Sequence, residues 1–291
     1  MRPTFDELLR KRVVVCDGAM GTMLISAGLM SGCPEELNVT APDEVRRIHA
    51  AYVACGVDIV ETNSFGGNPI KLASYNLADR THEVNSAAAR LAREAAGDRA
   101  LVAGSIGPTG HFLKPLGTLS SDEAREAYGR QAQALADGGA DLLIVETMSD
   151  LAELSAAVAG ARDTTSLPIV CTLTFRRGTN TIMGVSASRA ATALKDMGVK
   201  AIGANCSTGP KEMEAVLAEM RRAYPEATLV AQPNAGMPRM AENRRIVYDC
   251  SPQELAEYAR RFVDLGVNII GGCCGTTPEH IRALVEAVGG R

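Results

Sequence analysis

The chain has no tryptophan, and aromatic residues make up only 4 % of its 291 positions. Platforms on which bases could stack are therefore scarce. It also lacks any basic cluster, with 30 Lys and Arg set against 34 Asp and Glu for a net charge of −4. Both absences argue against nucleic acid as a partner. No window approaches the roughly 18 consecutive apolar residues that a membrane span needs. The opening MRPTFDELLRKR is charged and has none of the apolar core of a signal peptide. These features predict a cytoplasmic protein with no membrane partner. In that reducing compartment its eight cysteines are thiols or metal ligands rather than a disulfide framework.

What is present is ordinary in amount and regular in order. A chain 46 % hydrophobic and 22 % charged is a soluble globular composition, long enough for a core that needs no staples. Short apolar runs at 13–18, 58–63, 100–107, 141–147, 168–175, 201–206, 228–234 and 268–274 alternate with stretches of helical spacing. The helical stretches are 42–55, 83–96, 121–137, 150–161, 188–197, 210–223, 252–265 and 278–288, with an extra one in AMGTMLISAGL (19–29). Continuous rather than alternating apolar runs fit strands buried on both faces, hence a parallel sheet. Eight strand–helix pairs in this length predict a single (β/α)8 TIM barrel domain over residues 1–291. A doubly wound open sheet is the alternative, but it predicts no gathering of reactive groups from every strand.

In a barrel all strand C-termini meet on one face, where chemistry sits. The expected ends carry Asp17-Gly18, Glu61-Thr62-Asn63, Gly107-Pro108-Thr109, Glu146-Thr147, Asn205-Cys206, Pro233-Asn234-Ala235-Gly236 and Cys273-Cys274. Only the fifth, TLTFRRG, is uninformative. Adjacent Cys273 and Cys274 can hardly bridge to each other without strain. With Cys206 at the end of the sixth strand, barrel closure can bring three thiols to one ion. Three protein ligands that leave a fourth position open are the pattern of a catalytic zinc rather than a structural one. Cys16, Cys33, Cys55, Cys171 and Cys250 read better as small buried hydrophobes. None of the four histidines is assigned to the metal.

The motifs DGAMGTML (17–24), ETNSF (61–65), GPTG (107–110), VET (145–147), GANC (203–206), PNAG (233–236) and GGCCGTTP (271–278) together resemble the homocysteine S-methyltransferase family. The likeness is strongest to the homocysteine-binding domain of its cobalamin-dependent branch. The resemblance implies a (β/α)8 barrel that holds Zn2+ on Cys206, Cys273 and Cys274, with the homocysteine sulfur taking the fourth position. It also implies that Glu146 holds the substrate ammonium and that the Asp17-Gly18 turn meets its carboxylate through backbone N–H groups. Asn234 would lie beside the metal. Glu61, Thr62 and Asn63 complete the expected substrate contacts, although Asp17 could instead cap its own turn. The family often has His where Gln232 stands, which leaves the role of that position open.

The chemistry follows from charge. A free thiol with pKa near ~8.5 is mostly protonated at neutral pH, and only the thiolate attacks. Coordination to Zn2+ removes the proton, and three protein thiolates keep the bound sulfur electron-rich. The expected activity is transfer of a methyl group to homocysteine, forming methionine. No corrinoid or folate segment is evident, so methylcobalamin is expected on a separate corrinoid-carrying protein. S-methylmethionine or a betaine-type donor is the alternative, as is a methyl-acceptor module within a multi-subunit corrinoid system or a different thiol acceptor.

Overall fold

A computed structural model describes residues 3–29, 32–240 and 246–289; the remainder of the expected 1–291 domain lies outside the described residues. Eight parallel strands alternate with helices around a barrel: β1 (Val14–Val15), β2 (Ile59–Glu61), β3 (Leu101–Ile106), β4 (Leu142–Met148), β5 (Ile169–Leu173), β6 (Ala201–Asn205), β7 (Leu229–Gln232) and, after a short antiparallel pair β8 (Arg239–Met240) and β9 (Ile246–Val247), β10 (Val267–Ile270). The hydrogen-bonded order is β1-β10-β7-β6-β5-β4-β3-β2. The β1–β2 seam is closed by one bridge, Cys16 to Ile59, and by the Asp58 N–H to Val15 O bond at 2.8 Å. The expected (β/α)8 architecture is therefore the one observed, and among the described residues no helix is long and apolar enough to cross a membrane.

Several elements form where their end signals predict. Helices 121–137, 210–223 and 278–288 match the sequence reading residue for residue. Ser120 caps the first of these with a full capping box, while Pro210 and Pro278 open the other two at a position where no N–H is needed. The helix expected at 19–29 is shorter, Met20–Ser26, because it has no side-chain cap and Gly28 takes a positive φ of 74°. The helix Phe5–Lys11, held by a Thr4–Glu7 capping box, was not foreseen. Its Phe5 and Leu8 plug the bottom of the barrel against Val14, Leu101 and Leu142.

Inside the barrel, side chains change character with height. Low positions are apolar: Val14, Ile59, Leu101, Leu142, Val170, Ala201, Val230 and Ile269 form one buried cluster. Positions higher on the same faces are polar: Glu61, Ser105, Glu146, Thr172, Asn205 and Gln232. The two-residue repeat of a strand sets this order, because residues i, i+2 and i+4 line one face. Gly203 belongs to this inner pattern just below the site. A Cβ there would lie 2.0 Å from Val230 O on the neighbouring strand, a backbone atom that cannot move alone. Gly203→Ala should therefore cost about 1–3 kcal/mol through overpacking, read as a lowered denaturant midpoint. A midpoint equal to that of the parent would show that β6 and β7 have slack.

Candidate active site

Three loops meet over β6, β7 and β10, stitched by backbone hydrogen bonds. Cys206 N–H donates to Gln232 O (3.1 Å), Cys273 N–H to Pro233 O (2.8 Å), Ala235 N–H to Cys274 O (2.9 Å) and Asn234 N–H to Thr208 O (3.1 Å). After β6 the chain turns through two successive left-handed residues, Cys206 (φ 57°) and Ser207 (φ 58°). Non-glycine residues pay of order 1–3 kcal/mol for such strain, which persists only where the surroundings enforce it. The outcome is that the Sγ atoms of Cys206, Cys273 and Cys274 lie within 4.8 Å of one another, with Cys206 and Cys274 3.8 Å apart.

That spacing is informative. A disulfide would need about 2.05 Å between sulfurs, whereas two sulfurs bound about 2.3 Å from one tetrahedral ion lie about 3.8 Å apart. The three thiols thus fit a shared metal. Without one, hydrogen bonds from Cys206 and Cys273 pull the Cys274 thiol down to about 3, with Tyr248 adding to the effect. The other five cysteines are buried free thiols outside this cluster, as the sequence reading expects.

Facing the thiols are three acids. Asp17 and Glu146 are buried and Glu61 is partly exposed. Glu146 accepts from Ser105 Oγ (2.6 Å), Asn205 Nδ2 (2.9 Å) and Thr147 Oγ1 (3.3 Å). Asp17 accepts the Glu61 N–H with both oxygens, at 3.2 and 3.1 Å. It therefore ties β1 to β2 rather than capping its own turn. Glu61 Oε1 accepts from Gln232 Nε2 at 2.5 Å. Burial pushes all three carboxyls above their ordinary range; Glu146 adds to the effect at Asp17 and Glu61, and hydrogen bonds oppose it. No Lys or Arg pairs with any of them among the described residues.

The remaining expected contacts divide by what their polar atoms already do. Thr62 Oγ1 pairs with Ser64 Oγ (2.5 Å) and accepts the Ser105 N–H (3.0 Å). Asn63 Nδ2 donates to Pro34 O (2.7 Å) and Asn38 Oδ1 (3.0 Å). Both side chains are engaged in anchoring the loop after β2. Gly18 packs where a Cβ would stand 2.7 Å from Thr276 Oγ1, and that hydroxyl takes the next amide of the turn, from Ala19, at 3.1 Å. Asn234 is 3 % exposed, and its Oδ1 has no partner among the described residues.

Some participants were not foreseen. Asn205 bridges Glu146, Thr147 and Thr172, giving the uninformative fifth strand its link to the site. Asn205 stood inside the GANC motif, so its type was visible but its partners were not. Tyr248 follows β9 and lies near enough to Cys274 to help lower its thiol, while its own hydroxyl is pushed up. Its ring lies against Gly275, where a Cβ would come 2.2 Å from Tyr248 Cγ and where φ is 85°. No sequence signal linked this tyrosine to a cysteine 26 positions later.

Likeness to known proteins agrees with this geometry. A family model described as homocysteine S-methyltransferase matches residues 14–288. The methionine synthase of Mycobacterium tuberculosis is 38 % identical over 301 residues, covering 97 % of this chain and 25 % of that protein. The methionine synthase of Mycobacterium leprae is also 38 % identical, with the same coverage. The chain therefore spans about a quarter of the length of these relatives. The homocysteine methyltransferase MmuM from Escherichia coli, in its metallated form, matches with a TM-score of 0.81 at 26 % identity, over 96 % of this chain and 98 % of that one. With a family model that runs from β1 through the last helix, the chain belongs to the homocysteine S-methyltransferase family.

Proposed function

We propose that this chain is a zinc-dependent homocysteine S-methyltransferase forming methionine, supplied with its methyl group by methylcobalamin on a separate corrinoid-carrying protein. The observation that carries the reading is the thiol triad, three sulfurs within 4.8 Å of one another, two of them at the 3.8 Å of a shared tetrahedral ion, with no fourth His, Cys, Asp or Glu grouped with them among the described residues. Cys206, Cys273 and Cys274 would hold Zn2+, which supplies a thiolate at neutral pH by displacing the proton of a bound thiol.

The chain's own residues account for the rest of an amino-acid thiol. The acids Asp17, Glu61 and Glu146 have no Lys or Arg partner among the described residues, and a substrate ammonium would supply a cation. Ser105, Thr147 and Asn205 hold Glu146 in place. Thr276 and Gly18 shape the turn that would receive the carboxylate. Asn234 brings a buried acceptor next to the stitched loops. The sulfur forms the new bond to carbon with its own electron pair, and the methyl group leaves its donor without one. The eight free thiols suit the reducing cytoplasm.

The surface around the site supports a large donor. Every exposed large hydrophobic side chain among the described residues, from Ile25 to Val247, lies in a connection following a strand. In a barrel these connections leave the strand ends on the side that carries the site. Leu116 and Met240 are 71 % and 77 % exposed. An exposed apolar rim of this kind marks a docking face. A small onium donor is the second reading, favoured by Phe65 and Phe112, which are also exposed there and could face a cation.

Turnover separates the donors. The zinc-loaded chain given homocysteine should make methionine from methylcobalamin, and not from S-methylmethionine or betaine; the reverse pattern would overturn the corrinoid assignment. Metal binding tests the triad independently. Cys206→Ser should lose both zinc and turnover while staying folded. Tyr248→Phe should keep zinc but bind it roughly tenfold more weakly in a chelator competition, the scale seen when a ligand loses its hydrogen-bond partner. Full zinc affinity in Cys206→Ser would remove that residue from the ligand set.

The uncompensated acids have a consequence for stability. A carboxyl whose pKa is raised by folding favours the folded state below its unfolded value, and that advantage is lost as pH rises through the folded value. For Glu61 the loss starts near the ordinary 4.5 and proceeds upward. In the ligand-free protein, Glu61→Gln should flatten the fall in urea midpoint between mildly acidic and neutral pH. Parallel profiles for the two proteins would contradict the upward shift of that carboxyl.

A further inference from the structure

His280 lies in the first turn of the helix Pro278–Val288, just past the loop that carries Cys273 and Cys274. Its ring is held from both sides. Thr277 N lies 3.2 Å from Nδ1, and Cys250 O lies 3.0 Å from Nε2. An amide N–H only donates and a carbonyl only accepts, so Nδ1 is the bare nitrogen and Nε2 carries the proton. The Thr277 hydroxyl is 2.5 Å from Glu279 Oε2 and gives its proton to that carboxylate, so it does not compete for Nδ1. The partners thus assign one neutral tautomer to the ring.

This bridge completes a circuit of bonds around Cys274. Ala235 N–H donates to Cys274 O (2.9 Å), Cys250 N–H to Ala235 O (3.0 Å) and His280 Nε2–H to Cys250 O (3.0 Å). Thr277, bound at Nδ1, returns the circuit to the loop of Cys274. The segment coming back from β9 is therefore fixed at both the N–H and the C=O of Cys250. Tyr248 belongs to that segment, and its ring lies against Gly275. Upstream, β8 and β9 are exposed, and the Arg239–Asp249 ion pair (3.2 Å) is on the surface, where such pairs contribute little. The hold on Tyr248 thus falls on Cys250, and the side chain that secures Cys250 O is His280.

We propose that His280 is a positioning residue for the metal centre: its bridge holds the Tyr248–Cys250 segment against the Cys274 loop, and the zinc affinity of the thiol triad depends on that bridge. This rests on the zinc reading above. His280 is not grouped with the three thiols and acts through the segment. Its two bonds can be separated by substitution. His280→Glu keeps an acceptor for the Thr277 amide, as in an ordinary capping box, but has no proton to give Cys250 O at neutral pH. His280→Gln keeps an acceptor and a donor.

Zinc affinity of the full chain, measured by chelator competition, tests this without turnover. His280→Glu should bind zinc about tenfold more weakly, the scale of losing a hydrogen bond that supports a ligand. Its added negative charge would by itself favour a cation, so charge does not produce this loss. His280→Gln should stay within about twofold of the parent. In the Tyr248→Phe background His280→Glu should cause little further loss, because both changes act on one path, whereas independent structural effects add. If His280→Glu does not fold, His280→Ala takes its place in the same comparisons. Unchanged affinity on losing the bridge, no rescue by His280→Gln, or losses that add in the double variant would overturn the assignment. A parent protein that binds no zinc would instead sink the zinc reading itself, before any variant is made.

Discussion

Four backbone hydrogen bonds between the ends of β6, β7 and β10 determine where the three thiols sit. None of the cysteines is brought into place by packing of its own side chain. Cys206 is aimed by a left-handed turn that its amide bond to Gln232 holds, and Cys273 and Cys274 are tied at N–H and C=O to the residues flanking Asn234. The loop after β7 is thus the keystone, bonded to both neighbours. This explains why strain is tolerated here. Thr147, Cys206 and Ser207, all with positive φ, are three of the four non-glycine residues of this kind among the described residues, and each lies at the end of a strand that carries a site residue. Strain that a rigid barrel can hold costs stability but fixes direction.

A second constraint is charge. The thiol cluster and the three carboxyls occupy one mouth, and no cationic side chain of the described residues neutralises the carboxyls. A polar layer of this kind is expensive to keep empty. Positive charge brought into the mouth would offset that cost. The barrel makes this affordable by restricting the polar groups to the top of its interior, above an apolar plug that includes Val14, Leu101, Leu142 and Phe5.

The sequence makes most of the frame legible, because alternation of continuous apolar runs with helical spacing depends on local residues, and so do proline starts and capping boxes. The triad was legible too, since barrel topology alone sends strand ends six and eight to one face. What was not legible needed partners distant in sequence. Asp17 could be read as capping its own turn, yet it holds the Glu61 amide across a seam that has only one bridge. Thr62 and Asn63 look like ligand contacts by type, while the structure shows Thr62 Oγ1 bonded to Ser64 and Ser105 and Asn63 Nδ2 bonded to Pro34 and Asn38. Tyr248 reaches Cys274 only because Gly275 has no side chain to hold it off. Local chemistry names candidates, and register decides which of them are free.

The same logic bears on Gln232. A histidine here could present only two nitrogens, and either a donor or an acceptor at each. A glutamine divides the work differently, with a donor amide for the carboxylate and an acceptor oxygen that has no partner among the described residues. Its reach is also longer, which the missing side chain at Gly271 permits. A site built from donors to Glu146 and a donor–acceptor residue at Glu61 treats two chemically identical acids unequally, immobilising one and leaving the other open. Among the described residues, protein hydrogen bonds reach both oxygens of Glu146 and of Asp17 but only one side-chain oxygen of Glu61, so the three carboxyls are held to different degrees.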